Sequence, residues 1–315
     1  SSRNNILHNK LDCNVRGHSD GFYNRGQDSA GILVFEQCNE NVFAYNSVTH
    51  GGDGFFLWAG QTTMDTGEGG CNDNYVYKND FSYAPTNGVE ITFSKNKIIE
   101  NIINECDHGI WGGYSWNTSI TGNRFYKNRI GIAIEHGQYN NISNNTFESN
   151  KLAAVKLWAR KTQPSDWGYA NKRETRSMQY NFWENHFKNE QVAFDMTLTQ
   201  DIVLYKNKFE NTKTQIKKDS LVKQLNIDPT QIVDSTSSVP QIIKNWKQVS
   251  IPVTNFKKGR DQIRITEWGP YPYNNPYPYI HLKSIDSSNT YLFEILGPKN
   301  GKWELRNTND LDHIT

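Results

Sequence analysis

Glu90 in GVEIT and Glu135 in GIAIE are the residues on which a reaction can be built. Each sits in a copy of one five-residue segment. Sister copies place Phe56, Trp58, Trp111, Lys156, Trp158 and Asp195 at the same two positions. Paired carboxyl groups do acid/base work on glycosidic bonds, roughly 5 Å apart for retention and roughly 6.5–9.5 Å for inversion. Aromatic faces among them stack on sugar rings. Histidines fall at the ends of the same segments: His50 with Asp53 in THGGDGFF, His108 in CDHGIW and His136 in IEHGQ. A histidine beside a glutamate suits proton transfer or a substrate contact. The bland alternative is a turn histidine with a structural role.

A repeat must position these residues. The pattern apolar-x-x-Asn-x-apolar occurs around Asn9, Asn46, Asn79, Asn101, Asn123, Asn145, Asn185 and Asn207, with gaps of 37, 33, 22, 22, 22, 40 and 22 residues. A period near 22 with β-branched and aromatic residues, and no leucine-rich consensus, predicts a right-handed parallel β-helix of about eight coils. Coils stack at about 4.8 Å, so equivalent Asn side chains form a ladder. These Asn are scaffold. The segment before each motif reads Gly-apolar-x-apolar-x: GILVF, GFFLW, GVEIT, GIWGG, GIAIE, AVKLW and QVAFD. Alternation puts Ile32, Val34, Phe55, Leu57, Val89, Ile91, Ile132, Ile134, Val155, Leu157, Val192 and Phe194 in the core.

The outward residues then form two columns. One runs Leu33, Phe56, Glu90, Trp111, Ala133, Lys156, Ala193; the other runs Phe35, Trp58, Thr92, Gly113, Glu135, Trp158, Asp195. A solvated sheet face is polar, so aromatics around carboxylates suggest a groove. The competing expectation is that an N-terminal extension or loop covers them. Insertions of 11 residues within 61–70 and 18 residues within 160–178 follow this strand and should wall the same face. Glu90 and Glu135, two coils and two residues apart, should have Cα atoms roughly 11–12 Å from each other. That favours inversion over retention, with Lys156 diagonal to Glu135 and able to tune it.

The expected chemistry is hydrolysis of a polysaccharide or oligosaccharide by Glu135 and Glu90, with Asp195 and His136 as further catalytic candidates. Trp58, Trp111, Trp158 and Phe56 form the sugar platform, and Lys156, His50, Asp53, His108 and Arg160 are expected substrate contacts. A lyase acting on a uronate ranks second, with Lys156, Arg160, Lys161 and the histidines as its cations. A groove rich in glutamate would repel such a polyanion. A non-catalytic carbohydrate-binding protein ranks third. No CxxC or HExxH metal spacing is present, and no cofactor is expected. Plentiful carboxylates leave a Ca²⁺ site open, although no loop has an EF-hand pattern.

The rest of the sequence bounds this reading. Net charge is +1, which argues against nucleic acid, and no run approaches the ~20 apolar residues of a membrane span. Mean hydropathy is −0.76, yet aromatics reach 13%, unlike disordered chains. Cys38 and Cys71 align on adjacent coils, within disulfide range or as a reduced stack. By repeat phase the chain begins inside a coil, so it reads as a piece of a longer secreted or periplasmic protein. The β-helix is expected over 1–212. A linker with a short helix follows at 213–245, then a small β-sandwich-like domain at 246–315.

The coil pattern, clearest in NNISNNTF, resembles the NosD-like carbohydrate-binding and sugar hydrolase β-helix family over roughly residues 1–212. HGGDGFFLWAG, GIWGGYSW and AIEHGQYN followed by EWGPY are similar to bacterial β-helix proteins with an appended β-domain. The resemblance implies the fold and contact with carbohydrate. It assigns no residue a role.

Overall fold

A computed structural model of the chain describes residues 1–14, 29–161, 167–227, 265–266, 269–270, 279–288 and 290–296. In the first compact unit, Ser1–Pro270, the described residues up to 227 form an all-β solenoid of about nine turns. Three parallel sheets of nine, eight and five strands run along it. The nine-stranded sheet holds the strand before each repeated Asn, such as Ile6, Phe43 and Val76 in register. The five-stranded sheet holds the strand after it. The eight-stranded sheet holds the segments that carry the candidate site: Ile32–Phe35, Phe55–Trp58, Asn87–Ile91, His108–Trp111, Ile130–Glu135, Ala153–Trp158, Val192–Thr197 and Thr214–Lys218.

The repeat is held at two levels. Inside, like packs on like: Phe125, Phe147, Phe187 and Phe209 stack with centroids 4.9, 4.9 and 5.2 Å apart, close to the rung spacing. At the turns, each Asn side-chain oxygen accepts both the N–H and the Nδ2 of the Asn one coil earlier, as in Asn101 to Asn123 at 2.8 and 3.0 Å. The Nδ2 also donates to the strand before, as Asn123 does to Ile98 at 2.8 Å. Both the donor and the acceptor capacity of a buried amide are thereby used. A second ladder runs Asn4, Asn41, Asn74 and Asn96, passes to Thr118, and continues to Asn140. A third joins Asn128 and Asn150 to Glu190.

Of the expected core residues all are buried except Val192. The last copy is read two residues off: Val155 pairs with Phe194, Lys156 with Asp195, Leu157 with Met196 and Trp158 with Thr197. Met196, not Val192, fills the core. The ladder also runs beyond residue 212. Thr214–Lys218 pairs with Val192–Met196, and Lys223–Asn226 extends the nine-stranded sheet. The expected short helix over KKDSLVKQL is therefore turn and strand. All four cysteines are free, so Cys38 and Cys71 are thiols. In the second unit, Tyr271–Thr315, strands Tyr279–Ile285 and Tyr291–Leu296 pair antiparallel, with a turn at Ser287 and Ser288 between them. Of the rest of the expected β-sandwich, Ile265–Thr266 and Gly269–Pro270 pair antiparallel, and what remains lies outside the described residues. No helix among the described residues is long and apolar enough to cross a membrane.

Candidate functional site

The outward face of the eight-stranded sheet bounds a groove of about 430 Å³. Its register follows the columns through the sixth copy. Phe56 pairs with Glu90, Glu90 with Trp111, Trp111 with Ala133, and Ala133 with Lys156. Glu90 and Glu135 thus face outward two rungs and two residues apart, both lining the groove. Trp111 and Gly113 make the floor between them. A Cβ on Gly113 would lie 3.4 Å from the Trp111 indole nitrogen and 3.8 Å from Thr92 Cγ2. The absent side chain opens the floor beside Glu135. Ala133 lets Trp111 and Trp158 meet across it, with centroids 5.5 Å apart. Trp58 and Phe56 continue the aromatic floor toward Phe35, whose ring is 5.1 Å from Trp58.

Each glutamate has its own support. Glu135 is only 8% exposed, and Arg160 Nε donates to its Oε1 at 2.8 Å. Arg160 is held in turn by the neighbouring residue: its backbone N–H donates to His136 Nε2 at 3.0 Å. His136 Nδ1–H donates to the Thr175 carbonyl. Both ring nitrogens are used by a neutral imidazole, and burial keeps its pKa below the ordinary value. His136 therefore ties together the two ends of the 160–178 insertion. It is a positioning residue in this geometry rather than the expected acid or base.

Glu90 Oε2 accepts from Asn87 Nδ2 at 2.8 Å. Asn87 Oδ1 faces His108 Nδ1 at 3.1 Å, and Arg129 Nη2 donates to His108 Nε2 at 2.9 Å. Arg129 also grips Asp107 at 2.6 and 2.8 Å. An arginine can only donate, so His108 accepts at Nε2 and carries its proton on Nδ1. Burial pushes its pKa down to about 4. His108 packs 5.2 Å from Trp111 and is linked to Glu90 through Asn87.

Two expected contacts, His50 and Asp53, and one catalytic candidate, Asp195, belong elsewhere. His50 is 2% exposed, bonded to Thr49 Oγ1 at 2.8 Å and stacked on Tyr83, with its pKa pushed down to about 4 by burial. Asp53 is 1% exposed and accepts from Thr86 Oγ1 and from the Asn87 N–H at 2.8 Å. Both sit inside the wall because THGGDG forms a buried corner, and Asp53 acts on the site by fixing Asn87. The two-residue shift moves Asp195 into the column of Lys156, where Lys217 Nζ pairs with it at 3.2 Å. It is not in the Glu135 column. Lys156 lies 5.1 Å over the Trp158 ring, and the cation on Glu135 is Arg160.

The insertions meet each other. Helix Gln61–Thr66 packs on helix Gly168–Lys172 so closely that a Cβ on Gly168 would fall 1.6 Å from the Asp65 carbonyl oxygen. Arg173 Nε donates to the Gly67 carbonyl at 2.5 Å, and Lys172 pairs with Glu68 at 3.5 Å. Beneath them Phe93, Tyr114 and His136 stack at 4.7 Å intervals, with Trp167 and Tyr169 edge-on to Phe93 and Tyr114. Sequence reasoning missed Tyr114, Asn87, Arg129 and Thr175. A signal existed for one of them: Asn87 and His108 occupy equivalent places on adjacent coils.

Residues 66–232 match the family model described as a right handed beta helix region. No curated protein matches the chain. Among solved structures it is similar to the alginate lyase from Paenibacillus sp. str. FPU-7, with 9% identity, a TM-score of 0.19, and coverage of 70% of this chain and 99% of that one.

Proposed function

The chain belongs to the right-handed β-helix family, and on that scaffold we propose a polysaccharide-active enzyme, a glycoside hydrolase whose reacting pair is Glu135 and Glu90. The observation that carries this reading is the pair itself. Two supported carboxyl groups flank a Trp111–Gly113 floor in a groove whose other walls are mostly aromatic, with Leu33 and Thr92 among them. A glycan laid along the solenoid axis would rest on Trp58 and Trp111, with Trp158 beyond Glu135. Glu135, ion-paired with Arg160, takes a proton from water, and the oxygen of that water bonds to the anomeric carbon. The glycosidic C–O bond breaks, and Glu90 gives its proton to the leaving oxygen. The Cα separation of roughly 11–12 Å leaves room for that water and favours inversion. The NosD-like grouping and a secreted or periplasmic setting belong to this same proposal.

Arg160 favours a second reading. Its side chain is 73% exposed while it holds Glu135, so the guanidinium is placed to meet the carboxylate of a uronate. The protein would then be a lyase. The test is a glycan-panel incubation of wild type, Glu135→Gln and Glu90→Gln, measuring new reducing ends and ultraviolet absorbance of unsaturated uronates. Reducing ends without absorbance, lost in both variants, support hydrolysis. Absorbance appearing with them moves the assignment to the lyase. Full activity in both variants sinks the paired-carboxylate mechanism.

A further inference from the structure

A second concavity, of about 510 Å³, lies on the nine-stranded sheet, a different sheet from the groove. Two outward columns bound it. One lies just before the strand in the early coils and inside the longer strands Ser177–Trp183, Thr199–Tyr205 and Lys223–Asn226 further on. In the early coils that position carries charges that pair off: Arg3 with Glu40 at 3.0 Å, and Lys95 with Asp73 at 3.2 Å. From the next coil on it reads Asn117, Tyr139, Gln179, Asp201, Gln224, in register through bridges at the residues before them. The second column, two residues further along each strand, has Asn141 opposite Asn181 and Val203 opposite Asn226. Where the surface becomes concave, three amides, a tyrosine and one carboxylate replace the paired charges. A face needing only solubility has no reason to make that change at that place.

The chemistry of this lining is specific. An amide offers donors and an acceptor with no net charge. Asn181 Nδ2 donates to Asn141 Oδ1 at 2.9 Å, a bond that uses neither the Asn141 amide protons nor the Asn181 oxygen. The lone carboxylate, Asp201, accepts from Gln200 Nε2 at 3.1 Å. Tyr139, 44% exposed, supplies a ring face at one end. The cation near this lining, Arg176, is already paired with Glu174 at 2.6 Å and so offers a polyanion little, and a protein partner would want an apolar centre. Hydroxyls, each with one donor and two acceptor lone pairs, can use both the donors and the acceptors of an amide array. The five rungs span roughly 19 Å at a spacing near the length of one sugar ring. We infer that this corner is a second, non-catalytic binding site for a neutral oligosaccharide chain lying along the solenoid axis. The inference rests on the groove reading only in that both treat the protein as one that handles glycans.

The test is affinity electrophoresis of the full chain through gels cast with soluble xyloglucan, galactomannan or mixed-linkage β-glucan, with alginate and polygalacturonate as charged comparators. At least one neutral polymer retards the wild type. Trp111→Ala, which strips the groove floor, keeps that retardation. Tyr139→Ala combined with Gln179→Ala weakens it about tenfold, the effect of losing a stacking face and one or two hydrogen bonds. Asn141→Asp, which keeps size and adds charge, weakens it as well, and melting curves verify that each variant is folded. The inference is overturned if no neutral polymer retards the chain or if only the polyanions do. It is equally overturned if Trp111→Ala abolishes retardation while the corner variants leave it intact. The groove reading fails on a separate measurement, the release of reducing ends in solution.

Discussion

His136 Nε2 accepts the backbone N–H of Arg160 at 3.0 Å, so the residue following Glu135 holds in place the residue that ion-pairs with Glu135. The same ring donates to the Thr175 carbonyl and thereby fixes both ends of the longer insertion. Its acceptor role requires a neutral ring. Protonation would turn Nε2 into a donor aimed at an N–H.

Replacing His136 by Phe isolates that role. Phe93 and Tyr114 already hold aromatic rings at φ near +55° in the same column, so Phe fits the backbone and keeps the stack on Tyr114. What is lost is two hydrogen bonds to backbone groups, worth roughly 2–3 kcal/mol. Limited proteolysis within 160–176 should become faster at pH 7 than in wild type. Wild type should gain the same susceptibility as pH falls below the usual imidazole range, because burial holds the folded pKa of His136 down. Equal cleavage of variant and wild type at both pH values would remove His136 as the anchor.

The acid side of the stability profile follows from the same class of group. His50 and His108 are pushed down to about 4 by burial, from an ordinary value near 6.5. A depressed histidine stabilises the fold fully above its unfolded pKa and loses that contribution as pH falls toward the folded one. Each contributes at most on the order of 3 kcal/mol. The melting temperature should drop steeply between about pH 6.5 and pH 4, and His108→Gln should make the slope shallower. An unchanged slope in that variant would mean His108 does not stay neutral in the fold.

Gly113 separates binding from folding. An added Cβ meets only ordinary contacts at 3.4 and 3.8 Å, so Gly113→Ala should fold and act close to normally. Gly113→Phe fills the floor between Thr92 and Glu135 with outward-pointing atoms. It should cut kcat/KM at least about a hundredfold while changing stability by less than about 1 kcal/mol. Undiminished turnover by the Phe variant would place the substrate somewhere other than over this floor.

Much of this was readable from the chain, and the failures have physical reasons. Asn at fixed spacing reports its ladder because the same side chain bonds to its own copy. The second and third ladders escaped because Thr118 and Glu190 stand in for Asn and accept the same bonds with different atoms. Outward phase was correct while each strand had one acceptable alignment. It slipped at QVAFDMT, where Val192 and Met196 flank Phe194 symmetrically and either can fill the core. The histidine networks were not legible, since His136 bonds across an insertion to a residue 39 positions away.

Glu190 marks the one rung where the third ladder places a carboxyl group in an amide's position. It is 1% exposed, its Oε1 accepts from Asn150 N and Nδ2 at 3.3 and 2.8 Å, and burial raises its pKa to about 7. A raised carboxyl pKa favours the fold below the unfolded value near 4.5, and that contribution is lost as pH climbs through 7. Glu190→Gln keeps an oxygen for Asn150 and cannot ionise. It should therefore raise stability at pH 8 by about 1–3 kcal/mol and have little effect at pH 4.5. Urea melts of both proteins at the two pH values measure this directly. A variant equally destabilised at both would show that Glu190 titrates alike in the folded and unfolded chain, so that burial does not raise its pKa.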